Sequence, residues 1–286
     1  MMAELQPAVS FRGLQRARTT LEDFVCSYFP LHGLSVHQDL FLYLDVLVYV
    51  EGVVYSMDEE NERATQAGKA SLSGPLQGEQ LLISILSQQQ LLSDRISAEL
   101  QQGREYWALE RQLCAIMGHP GGNSKLRLDD IQRASWAKSF DYRVLNLLLY
   151  QLTHKAVDEG LMDFLRLDEH LVDIGDDLVD YEDDIMANSF NIFRGYVHLY
   201  GRDAELRLVE HITSCEEAHQ KLLQQLPSST QEKWQRRKKE ASSVPGSEKW
   251  SFPQPILDEH AYRQASAGAD DDALQDFKRL RQTSPE

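Results

Sequence analysis

Through most of the first 226 positions apolar residues recur three and four apart, and strand signals are nearly absent. A chain patterned this way can bury its apolar surface only by packing helix on helix, so the expected fold is all-α, a single helical bundle over residues 1–226. Helices are expected over roughly 14–29, 37–62, 77–117, 128–157, 159–187 and 189–226. Pro30 and Gly33, then Gly68, Gly74, Pro75 and Gly78, then the run from His119 to Ser124, and finally Gly160 supply the breaks. After Pro227 the apolar periodicity is lost, and Ser, Gln, Lys, Asp and Pro predominate; residues 227–286 are expected to form a disordered polar tail. Within it, Lys233 to Lys239 reads as a solvated basic run or as an import or acid-binding signal. Trp250, Phe252, Pro253 and Pro255 read either as a docking segment for a protein partner or as residues that pack back on the domain.

Composition excludes some partners. A net charge of −16 repels phosphates, which argues against nucleic acid or an anionic membrane. The longest apolar stretch, Leu40 to Met57, contains Asp45 and Glu51 and lacks a basic flank, so it reads as a buried helix rather than a membrane span. Cys26, Cys114 and Cys215 form no CxxC pair and read as small buried residues of a protein from a reducing, cytoplasmic setting.

Chemistry concentrates in one place. From Leu167 to Phe193 there is no Lys or Arg, while nine acids appear. At about 100° per residue Asp173, Asp177, Asp180 and Asp184 fall within roughly 60° of one another, with Asp176 and Glu169 bordering the stripe. Leu167, Leu171, Ile174, Leu178, Tyr181 and Ile185 form the opposite, apolar face. Like charges four apart cost about 0.2–0.5 kcal/mol per pair and Asp is a poor helix former, so an unneutralised stack calls for a cationic partner. Short oxygen ligands suit Mg²⁺. The alternative is an amphipathic helix with a solvated acidic face.

The string Asp176-Asp-Leu-Val-Asp-Tyr-Glu-Asp-Asp184 resembles the second metal-binding motif of class I isoprenoid (terpene) synthases, with Asp176, Asp180 and Asp184 at the ligand positions. Asp176-Asp-x-x-Asp180 is likewise similar to the second aspartate-rich motif of trans-prenyl chain-elongating enzymes. The resemblance implies a terpenoid-synthase-like helical domain and a Mg²⁺-dependent lyase or prenyltransferase acting on a prenyl diphosphate. It also implies a second acidic helix across the cavity, for which Asp58-Glu-Glu-Asn-Glu62 is the loose counterpart, with Asp58 and Glu62 as ligands. A diphosphate sensor would be Arg133 or Arg143, which share a helix face with Trp136 and Phe140; both also read as arginines flanking a core stripe. The competing reading is a non-catalytic helical module that binds a partner through its acidic face. Glu216-x-x-His219 matches half of a di-iron helix motif without a second copy. His154, His170 and His198 read as capping or surface residues.

Overall fold

The computed structural model describes residues 9–72, 76, 78–119, 125–241 and 250–266. Those residues form α1 (Phe11–Tyr28), α2 (Val36–Gln66), α3 (Glu79–Gln88), α4 (Asp94–Met117), α5 (Leu128–Ala137), α6 (Phe140–Leu152), α7 (Glu159–Val179), α8 (Tyr181–Ala187), α9 (Ile192–Tyr200), α10 (Ala204–Gln225) and α11 (Ser228–Ala241). No strand occurs among the described residues.

The helices start where sequence chemistry allows. Ser10, Ser93, Asp158 and Asn191 each cap a helix by accepting a hydrogen bond from a first-turn backbone N–H. Several long stretches of helical periodicity are divided. Gln90, at φ 57°, separates α3 from α4, and Gly201, at φ 59°, ends α9. Asp180 separates α7 from α8. There the Asn191 side-chain amide donates to the Asp177 carbonyl at 2.5 Å, so an outside donor enters the last turn of α7, a recognised cause of kinks.

α1 and α2 form an antiparallel hairpin, and α2 also packs on α4 and α6. α7 lies against α10 and α9, while α5 bridges α4 to α9. One core runs through all of them, with Phe24, Leu47, Val53, Val144, Leu148, Phe164, Ile174 and Phe193 almost fully buried. By length and composition α2 is the one described helix that could cross a membrane. Its middle and C-terminal half is buried through Leu47, Val50, Val53, Val54 and Met57. Near its start Phe41 is 83% and Leu42 64% exposed, so the expected burial holds for only part of it.

The chain does not leave the fold at Pro227. Trp234 of α11 is buried against Phe164 and His219, and Arg237 lies over the Tyr28 ring and reaches Asp168. Residues 250–266 return to the domain: Phe252 meets Phe193, the Tyr181 hydroxyl accepts from the Ile256 N–H, and Arg194 pairs with Glu259. Of the two readings of Trp250 to Pro255, packing back is the one seen. The remaining tail, 242–249 and 267–286, lies outside the described residues.

Candidate functional site

A cavity of about 200 Å³ opens between α2, α4, α7 and the α5–α6 junction. α2 contributes Tyr55 and Asp58, one turn apart; α4 contributes Tyr106 and Trp107; α7 contributes Asp173. Lys138 to Tyr142, where α5 ends and α6 begins, forms the remaining wall. Close helix approach shapes it: a Cβ on Gly103 would stand 2.5 Å from the Phe140 ring, and Trp107 meets that ring edge-on. The Trp107 indole N–H donates to Asp58 at 3.0 Å.

The cavity is rich in perturbed acids. Glu51, fully buried behind it, receives no nitrogen or hydroxyl donor. Burial, then the charge of the neighbouring Asp141 carboxyl, raises Glu51 well above the carboxylate range, and burial raises Asp141 as well. Asp173 is pushed up to about 7 by burial, against the opposing pull of Lys138 and the Ser139 hydroxyl, which donates to it at 2.7 Å. Glu110, beneath the floor, is raised to about 8 by burial and by Asp58.

The cation that the aspartate stripe calls for is present in the chain. The Lys138 ammonium lies 2.5 Å from Asp177. Burial disfavours its charge, but Asp177 and Asp173 outweigh that and raise its pKa. The other Asp177 oxygen accepts from the Ile192 N–H at 2.7 Å, so this carboxylate also caps the start of α9, where helix dipoles favour negative charge. Asp184 accepts from the Asn191 amide and is raised to about 6, chiefly by burial. Asp176 and Asp180 are exposed. The stripe is thus neither a wholly solvated face nor a convergent ligand set.

The remaining expected residues are dispersed. Arg16 holds both Asp58, at 2.7 Å, and Glu62, at 3.0 Å. Arg143 is 2% exposed and tied to Glu99 and Glu169, outside the cavity lining. Arg133 is exposed on α5, paired with Glu105 and Asp130. Asp58 and Asp173 are therefore the two expected ligands, one from each acidic helix, that line a common cavity. His219 and Glu216 serve the C-terminal packing, through Asp168 and the Trp250 indole. His154, at φ 53° just past the end of α6, is a helix-end residue as expected; His170 is 2% exposed and is not a surface residue.

Sequence reasoning missed Lys138 and Asp141 as parts of the site. The signal for Lys138 was indirect: a 27-residue stretch without a cation must draw one from elsewhere, and it comes from 39 residues upstream. Compared with protein-family models, curated proteins and solved structures, the chain matches none.

Proposed function

We propose that the cavity is the working site of a class I isoprenoid-synthase-like enzyme acting on a short prenyl diphosphate. The observation that carries this reading is the juxtaposition of Asp58 from α2 and Asp173 from α7 in one cavity walled by Tyr55, Tyr106, Trp107, Phe140 and Tyr142. Aromatic faces and carboxylates stabilise positive charge, the need of an allylic cation. At about 200 Å³ the space falls below the roughly 300–1,000 Å³ of drug-sized ligand pockets, which favours a short chain.

Lys138 would meet a diphosphate oxygen, and Asp141 in the cavity wall, raised by burial, would take a proton from the cation. The donor types suit Mg²⁺: Asp58 and Asp173 in the cavity would hold it together with the diphosphate. Mg²⁺ would supply neutralisation of the leaving group's charge.

A second reading rests on a specific observation. Arg16 and Lys138 already neutralise Asp58, Glu62 and Asp177, as in a fold that keeps its acids for structure and binds without turnover. The test is incubation with geranyl and farnesyl diphosphates, with and without Mg²⁺, following diphosphate release in wild type and Asp173→Asn. Mg²⁺-dependent release, slowed at least about 100-fold in the variant, supports the enzyme. Binding without release supports the second reading, and the absence of both removes this cavity from consideration.

A further inference from the structure

Away from that cavity, α7 and α10 bring three ligand-type atoms together. His170 projects from α7; His211 and Cys215, four apart and therefore on one face, project from α10. His170 Nε2 is 3.0 Å from His211 Nε2, and His211 Nε2 is 3.7 Å from the Cys215 sulfur. All three ligand atoms lie within 4.8 Å of one another, and this is the one such grouping of His, Cys, Asp or Glu among the described residues. We infer that His170, His211 and Cys215 form a binding site for one Zn²⁺-type ion.

The spacing argues for this directly. With Zn–N of about 2.0–2.1 Å and Zn–S of about 2.3 Å, tetrahedral coordination separates two nitrogens by roughly 3.3 Å and nitrogen from sulfur by roughly 3.6 Å. Two of the three separations, 3.0 and 3.7 Å, lie within a few tenths of an ångström of those values, and the third, His170 to Cys215, is at most 4.8 Å. Without an ion, the two facing Nε2 atoms share a single proton; an ion would take that proton's place.

The outer side of each ring is already held. Ser135 Oγ stands 3.3 Å from His170 Nδ1, and Gln132 stands 3.4 Å from His211 Nδ1. Such partners fix ring orientation and tautomer in metal sites. Gln132 meets a metal-bound His211 by presenting its amide oxygen, a half-turn of the amide group. Trp136 stacks on His170 at 3.9 Å between centroids and fixes the ring plane. His211 is half-buried, which leaves a route from solvent.

Two imidazoles and a thiolate select Zn²⁺ over Mg²⁺, so this site differs chemically from the carboxylate cavity. Three protein ligands leave the fourth position to water. The ion pins α7 to α10 one turn before Asp173.

The test uses the full-length chain, freed of metal with a chelator and titrated with Co²⁺ and Zn²⁺. Co²⁺ should bind at one equivalent with the intense visible bands of a tetrahedral site and a near-ultraviolet thiolate-to-metal band. Cys215→Ser should abolish that band and His211→Gln should weaken Co²⁺ binding at least tenfold. His37→Gln, an exposed residue of α2, should change neither. Zn²⁺ should also displace Co²⁺ from the wild type and bleach both bands, a readout that needs no variant. A thiolate band that survives in Cys215→Ser, or the absence of that band from the wild type at one equivalent of Co²⁺, overturns the assignment.

Discussion

Replacing Glu259 by Gln should cost the folded chain about 3 kcal/mol at pH 7. Arg194 is fully buried, and its guanidinium meets both Glu259 oxygens, at 2.7 and 2.8 Å. His198 and Arg263 add contacts of 2.7 Å each. Removing one partner of a buried pair typically costs about 3–5 kcal/mol, because the other charge is left uncompensated. The low end applies here, since Arg194 also donates to the Ser189 carbonyl and to the Asn188 side chain, both at 2.8 Å. The carboxyl's acidity gives a second route to the same figure. Burial would raise Glu259, but hydrogen bonds from His198 and Arg194 and the Arg194 charge bring it down from 4.5 to about 2. At about 1.36 kcal/mol per pH unit, that gap again corresponds to roughly 3 kcal/mol. Because the folded carboxyl is the stronger acid, this stability is complete above pH 4.5 and is lost as pH falls toward 2. Urea unfolding followed by circular dichroism, at pH 7 and between pH 5 and 2.5, measures both effects. A loss under about 0.5 kcal/mol, or an unchanged acid dependence in the variant, would show that residues 250–266 are not held by this pair.

Leu178, 3% exposed on the apolar face of α7, should cost about 2–5 kcal/mol when replaced by Ala, and a loss below about 0.5 kcal/mol would place α7 at the periphery. Asp173 keeps its proton up to about 7 when folded and releases it near 3.8 when unfolded, so it lowers stability as pH rises through that window. Asp173→Asn should therefore gain stability over wild type at pH 8 but not at pH 4, and parallel pH profiles would refute the raised pKa. Mg²⁺ with diphosphate should raise the melting temperature of wild type more than that of Asp180→Asn, whereas equal shifts would make Asp180 a solvated residue only. Truncation after Leu226 should lower the melting temperature, because it strips Trp234, Arg237 and Glu259 from their buried contacts. An unchanged melting transition would instead make residues 1–226 a self-sufficient domain.

The helices were legible because burial of an apolar stripe leaves a 3.6-residue period in the sequence. Their interruptions were less so. Gly201 carries its own signal, but Gln90 adopts a left-handed backbone that its residue type does not announce, and the kink at Asp180 depends on Asn191 arriving from elsewhere in the chain. The C-terminal packing was hidden for a related reason. Composition counts apolar residues, and this segment is anchored by an ion pair between Arg194 and Glu259, 65 positions apart, together with scattered aromatics. Likewise His170 gave no local sign of facing His211, a contact made across 41 residues.

The aspartate stripe shows how a correct physical inference can stop short of its object. Repulsion between carboxylates four apart does require positive charge, but the repulsion is indifferent to whether an ammonium or a metal ion supplies it. Lys138 supplies it at the buried edge, where Asp177 has its second oxygen committed to the start of α9. A metal ion entering at Asp177 would have to displace a half-buried lysine and uncap a helix at once. Asp173, Asp176 and Asp180 carry no such double commitment: Asp173 accepts from a single hydroxyl, and the other two are exposed. The stripe is therefore divided by function along its own length. Its inward oxygens hold α5, α7 and α9 together, and only its cavity-facing and outward oxygens remain to meet a ligand.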